Sequence, residues 1–135
     1  MKENKIIIDA TNAVLGRLAS YSAKQALLGK EVIIVNCKEA ILTGRREMIL
    51  KDYREAREKG SHSQKGPFFP KTPERILKRT IRGMLSYKQG RGESAFKRII
   101  CYNETPQEYL ESKKIKAGKE KHVKTLKLSE VSKLL

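Results

Sequence analysis

The stretch KIIIDATNAVLGRLASYSAKQALLGKEVIIVN, residues Lys5–Asn36, decides the fold. Lys5-Ile6-Ile7-Ile8 reads as a short buried strand ending at Asp9. Asn12 or Thr11 is placed to cap a following helix, accepting from its first free N–H groups. Val14, Leu18, Tyr21 and Leu28 recur at helical spacing, and Gly29 is a natural stop. Glu31 to Asn36 is a second strand, apolar at consecutive positions, as in a sheet covered on both faces. Ala40-Ile41-Leu42-Thr43 predicts a third strand, closed by Gly44. Strand, helix, strand, strand is the pattern of a parallel α/β unit.

Beyond this unit, Arg45 to Lys59 reads as a charged helix with Met48, Ile49, Tyr53 and Ala56 on one side. Glycine and proline make 60–72, GSHSQKGPFFPKT, a loop. Thr72 followed by Pro73 is a helix start, and Pro73 to Leu85 is amphipathic. Its apolar side is Ile76, Leu77, Ile81, Met84 and Leu85. Arg75, Arg79 and Arg82 occupy the opposite side, with Lys78 beside them. Gln89-Gly90-Arg91-Gly92 reads as a turn, Glu93 to Lys97 as a short helical piece, and Arg98 to Tyr102 as a last strand. Pro106 to Lys113 predicts a small helix, 113–127 an extended segment, and Ser129 a cap for a terminal helix through Leu135. No internal repeat or long linker divides the chain. The expected organisation is one domain over 1–135, with a core of about 5–106 and a lysine-rich extension from about 107.

Composition narrows the function. The 135 residues carry 30 Lys+Arg against 15 Asp+Glu, a net charge of +15. Solubility alone is satisfied by roughly 2–8 charges, so a polyanionic partner is expected. Residues 45–98 hold sixteen basic and six acidic side chains, and nine of the ten arginines. Arginine's planar fork suits phosphates and base edges and stacks on bases. No apolar run approaches the ~18 residues of a membrane span, and the opening residues are too polar for a signal peptide. Cys37 and Cys101 lie in apolar runs, which predicts buried reduced thiols in a reducing compartment, with no disulfide framework or zinc cluster.

Signs of catalysis are lacking in the sequence. Neither GxxxxGK[ST] nor a strand-following GxGxxG occurs, and His62 and His122 stand far apart. Asp9 and Asp52 could pair in an acidic site, but a strand-end carboxylate and an exposed helix residue are the simpler reading. No cofactor, metal or small-molecule substrate is expected.

The richest segment runs from Gly66 to Arg98. Phe68 and Phe69 offer aromatic faces, unless the loop uses them as core anchors. Arg75, Arg79, Arg82, Lys88, Arg91, Lys97 and Arg98 offer cations, and no acid lies between Arg75 and Lys88. Aromatics among cations can stack unpaired bases while holding phosphates. Arg45, Arg46, Lys65 and Lys71 complete the candidate set from this basic block.

Asp9-Ala10, Leu15-Gly16-Arg17-Leu18-Ala19-Ser20, Ala23-Lys24, Leu27-Leu28-Gly29-Lys30 and Val32-Ile33-Ile34-Val35-Asn36 resemble the opening of the large-subunit ribosomal protein family called L-thirteen. Gly66-Pro67-Phe68, Arg82-Gly83-Met84-Leu85, Arg91-Gly92, Ala95 and Arg98 resemble its central signature, in its archaeal and eukaryotic form. The resemblance covers roughly 5–106 in colinear order. Ser86 departs from it, standing where the family commonly has proline, which could loosen the turn after the helix. The resemblance implies a three-layer α/β/α domain around a mostly parallel four-stranded sheet. It implies a non-catalytic, cytoplasmic constituent of the large ribosomal subunit that binds ribosomal RNA, touches neighbouring ribosomal proteins and supports early assembly. It implies RNA contacts at Arg17, Lys24, Arg82, Lys88, Arg91 and Arg98. Gly16 and Gly83 weaken their helices by about 1 kcal/mol each relative to alanine. The expected reason is close approach, of the sheet backbone at one and of RNA or a neighbouring helix at the other. Two other classes compete: a free-standing RNA-binding module or RNA chaperone, and a small nuclease with a metal on Asp9 and Asp52.

Overall fold

A computed structural model describes residues 5–58, 71–110, 114–116 and 125–134. In chain order the elements are β1 (Lys5–Asp9), α1 (Leu15–Leu27), β2 (Glu31–Val35), β3 (Ile41–Thr43), α2 (Arg46–Glu58), α3 (Pro73–Gly83), α4 (Gly90–Lys97), β4 (Ile99–Cys101), β5 (Ile115–Lys116), β6 (Thr125–Lys127) and α5 (Leu128–Leu134). Single 3-10 turns lie at Cys37–Glu39 and Gln107–Tyr109.

The sheet order is β4-β2-β1-β5, all parallel. β1 and β2 pair from Lys5↔Glu31 to Asp9↔Val35. Val32, Ile33, Ile34 and Val35 are all buried, which explains why β2 lacks hydrophobic alternation. Alternation instead sorts the two faces. Ile8, Val32, Ile34 and Ile99 join a core with Leu15, Leu18 and Ala19 of α1, Ile76, Leu77 and Ile81 of α3, and Ala95 of α4. Ile7, Ile33, Val35 and Ile100 alternate to the other face. The Tyr109 ring lies 6.3 Å from that of Tyr102 and under the ammonium of Lys5 in β1. The α/β class is as the element pattern predicts, and the mostly parallel four-stranded sheet is as the resemblance implies.

α1 stops as its sequence anticipates. Gly29 has φ +95°, its N–H donates to Ala26 O at 3.0 Å, and the Lys30 N–H donates to Gln25 O at 3.2 Å. This pair of bonds satisfies carbonyls the helix leaves free, and the left-handed residue is glycine. The start differs from expectation. The N-cap is Val14, with no side-chain cap. Thr11 donates from both its N–H and its hydroxyl to Asp9 Oδ1, and Asn12 lies in the left-handed region at φ 59°. The polar residues expected to cap α1 therefore build the turn that leaves β1.

β3 does not extend the parallel sheet. It pairs antiparallel with β6, Ile41↔Lys127 to Thr43↔Thr125, in a separate two-stranded ribbon. The chain turns away after β2 because Asn36 adopts φ 59° and the 3-10 turn follows at once. Ile49, Leu126 and Val131 form a small second core under this ribbon, with Leu42, Leu50 and Tyr53 packed against it.

Three further boundaries differ. α4 begins at Gly90, so Gly90-Arg91-Gly92 is helix rather than turn. A Cβ on Gly92 would overlap the carbonyl carbon and oxygen of Ser86 and lie 2.8 Å from its Cα. That glycine is there for close packing, not for a turn. The helix expected over Pro106 to Lys113 is, among the described residues, the single 3-10 turn at Gln107–Tyr109. Ser129 lies inside α5, which starts at Leu128.

Candidate nucleic-acid interface

Spacing along α3 sets the basic face. Burying Ile76, Leu77 and Ile81 turns Arg75 outward into solvent and leaves Arg79 and Arg82 half-buried at the rim. Pro73 occupies the first helical position, and the Glu74 N–H donates to Asn103 Oδ1 at 3.1 Å, tying the start of α3 to the chain beyond β4. From the last turn of α3, the Arg82 guanidinium sits 4.7 Å from the centre of the Tyr87 ring just beyond the helix, and the Lys88 ammonium lies 5.9 Å from the same ring. The ring gathers one cation from the helix end and one from the turn that follows. Ser86 does not loosen that turn: its carbonyl accepts from the Gln89 N–H at 2.9 Å and rests against Gly92.

The other candidates divide by what already holds them. Arg17, Lys24, Arg45, Arg46, Lys71, Arg75 and Arg91 are exposed, and their side chains make no hydrogen bond or ion pair among the described residues. Lys97 pairs with Glu93 at 3.2 Å across one helical turn, both side chains largely in solvent, an arrangement worth little to stability. Arg98 donates from Nη1 to Ala26 O at 2.8 Å, closing the C-terminal end of α1. Lys78, placed by its spacing beside the arginines, instead donates to Ile99 O at 2.7 Å and covers the Phe96 ring at 5.0 Å. It is a tie between α3 and β4. Lys65, Phe68, Phe69, His62 and His122 lie outside the described residues.

The glycine expectations divide too. A Cβ on Gly16 meets nothing within 4 Å, so no sheet backbone presses on it, contrary to expectation. A Cβ on Gly83 also meets nothing, so no neighbouring helix accounts for it. Sequence reasoning did not single out Tyr87 as the support for Arg82. Its only signal was an aromatic inside the acid-free run from Arg75 to Lys88.

Asp9 serves structure. Its Oδ1 accepts from the Thr11 N–H at 3.0 Å, the Thr11 hydroxyl at 2.7 Å and the Asn36 amide at 3.1 Å. Burial pushes its pKa up, but these bonds and the Lys116 ammonium more than offset this and hold it below the ordinary value. Asn36 also accepts from the Thr105 hydroxyl at 3.1 Å, so one left-handed residue ties the ends of β1 and β2 to the segment after β4. Asp52 is exposed on α2. Among the described residues, no three His, Cys, Asp or Glu side chains converge to hold a metal, and no helix is long and apolar enough to cross a membrane. Both cysteines are free; Cys37 is buried and Cys101 half-buried. Its hydrogen bond with the Cys101 thiol and its burial both raise the Cys37 pKa well above the ordinary thiol value.

Comparison of the sequence with known proteins places the chain in a family. The family model for ribosomal protein L13 matches residues 3–108. The chain is similar to the large ribosomal subunit protein uL13 of Methanosarcina barkeri, 52% identical over 81% of this chain and 78% of that one. It is similar to uL13 of Methanocaldococcus jannaschii at 44% identity over 96% of each chain. It is also similar to uL13 of Methanococcus maripaludis at 48% identity over 70% of this chain and 71% of that one.

Proposed function

This chain belongs to the ribosomal protein L13 family, and from that premise we propose that it is a structural constituent of the large ribosomal subunit in the cytoplasm. It binds large-subunit ribosomal RNA, touches neighbouring ribosomal proteins and supports early subunit assembly. It acts by positioning RNA rather than by catalysis. The observation that carries this reading is the outward face of α3 and the turn beyond it. Arg75, Arg79, Arg82 and Lys88 project there without an intervening acid. Arg45, Arg46, Lys71 and Arg91 add exposed cations without partners among the described residues. Arg17 and Lys24 extend the candidate surface along α1, with Lys65, Lys97 and Arg98 as its remaining members.

Phosphate neutralisation releases counterions, so affinity falls with salt in proportion to the number of phosphates neutralised. Shape and unpaired bases, not duplex sequence, specify such a site. The test is a triple Arg75→Ala, Arg79→Ala, Arg82→Ala variant titrated against in-vitro-transcribed large-subunit rRNA over a range of salt. The variant stays folded and binds more weakly. Its slope of log affinity against log salt is shallower by about 2–3, at ~0.7–0.9 for each of the three phosphates no longer neutralised. Unchanged affinity and slope would rule this face out. A wild-type chain absent from salt-washed large subunits would favour a free-standing RNA-binding module instead.

A further inference from the structure

Between α2 and α3 runs a groove of about 310 Å³, lined by Asp52, Tyr53, Ala56, Arg79, Thr80 and Gly83. We propose that this groove receives one unpaired base of the bound RNA, a base carrying an exocyclic amino group, with Gly83 kept small so that the base can enter. The inference rests on the rRNA reading above and goes beyond it in naming a site and the chemical group it takes.

The local geometry follows from helix periodicity. Residues 52, 53 and 56 share one face of α2, and residues 79, 80 and 83 share one face of α3. The volume is at the lower end of the ~300–1,000 Å³ range of small-ligand pockets, room for one planar heterocycle. The walls suit such a ring. Tyr53 is half-buried and anchored in both apolar cores, so its ring is held in place. Burial and the neighbouring Asp52 charge both raise the Tyr53 pKa, so the phenol stays neutral. Arg79, half-buried, lines the α3 side of the groove. Aromatic rings and guanidinium planes are the surfaces on which unstacked bases lie.

Two features point to a base rather than to a phosphate. Asp52 is an acid on the rim of a strongly basic surface. A carboxylate repels phosphate but accepts from the amino group of a base edge. Gly83 ends α3 where a Cβ would meet nothing within 4 Å. Neither packing nor a left-handed conformation within the described residues calls for glycine there. Arg75 and Arg82, one turn to either side of Arg79, supply the cations that would bring an RNA strand over the groove.

The experiment uses the full chain with in-vitro-transcribed large-subunit rRNA and three variants. Gly83→Ala and Gly83→Leu fill open space, so their thermal midpoints match or exceed that of wild type. Gly83→Leu nevertheless binds five- to tenfold more weakly, with the salt slope unchanged because every phosphate stays neutralised as before. Asp52→Ala also binds more weakly, although it removes a negative charge from a basic surface. Wild-type affinity in Gly83→Leu overturns the proposal. So does a shallower salt slope, which would make the groove a phosphate site, and so does tighter binding by Asp52→Ala. If the wild-type chain itself does not bind this RNA at low salt, the rRNA reading falls and the groove falls with it.

Discussion

Gly92→Ala is the most exacting probe of how α4 is seated. Alanine favours a helix over glycine by about 1 kcal/mol, so propensity alone would make this substitution stabilising. The geometry opposes it. The new methyl group would overlap the Ser86 carbonyl and approach its Cα to 2.8 Å. These are backbone atoms, and the Ser86 oxygen already holds the turn by accepting from the Gln89 N–H at 2.9 Å. They cannot swing aside as a side-chain end would. Overpacking of this kind typically costs about 1–3 kcal/mol, and a clash against fixed backbone belongs at the upper end. Subtracting the propensity gain leaves a net loss of about 2 kcal/mol. At ~2.1 cal/mol/K per residue, a chain of this length has an unfolding entropy near 0.28 kcal/mol/K, so the midpoint falls by about 7 °C. Gly16→Ala is the matched control, because its Cβ meets nothing within 4 Å. A gain of about 0.5–1 kcal/mol raises its midpoint by roughly 2–3 °C. Thermal melts by circular dichroism, supported by urea titrations, measure both. A Gly92→Ala midpoint at or above wild type would refute the packing account of this glycine.

Other substitutions separate architecture from surface. Arg98→Ala removes a hydrogen bond from a charged donor to the end of α1 and lowers stability by about 1.5–2 kcal/mol, whereas Arg17→Ala changes it by less than ~0.5 kcal/mol. Denaturant midpoints decide, and equal effects would contradict the different roles of the two arginines. Asp9 has a lower pKa folded than unfolded, so its contribution is present above the unfolded value near 3.9 and is lost as pH falls through the folded value. Asp9→Asn should therefore reduce the loss of stability on acidification below about pH 4. An acid-unfolding curve parallel to wild type would remove Asp9 from that account. Iodoacetamide at pH 8 should modify Cys101 before Cys37, with Cys37 reacting only in denaturant. Mass spectrometry of the alkylated peptides would expose the reverse order.

Local readings survived where local forces decide. The apolar run of β2, the glycine stop of α1 and the Thr72-Pro73 start of α3 each depend on a few adjacent residues, and each stands where its residues predict. Readings failed where distant chain decides. Ile41 to Thr43 has the composition of any short strand, and its partner lies more than eighty residues away at Thr125–Lys127. Thr11 and Asn12 are good capping residues, but Asp9 and Asn36 engage that turn first. Gly90-Arg91-Gly92 has the composition of a turn, and only the packing of Ser86 against Gly92 explains its helical state. The basic block was legible as a quantity of charge. Its division between exposed Arg75 and structural Arg98 or Lys78 was not, because a carbonyl such as Ala26 O or Ile99 O leaves no mark in the sequence.

Both sheets take their last strands from far down the chain. β1, formed from the first residues described, completes its pairing only when Ile115 and Lys116 arrive, and β3 waits for residues 125–127. During synthesis the β1–α1–β2 unit can form early, since its contacts are local, but the pairings that close each sheet carry the loop-closure entropy of nearly the whole intervening chain. The nascent protein therefore emerges with an open β1 edge and an uncovered Leu42 face. If RNA engages the exposed cations of α1 before β5 and β6 have paired, it meets a partly finished protein, and binding and the last step of folding proceed together.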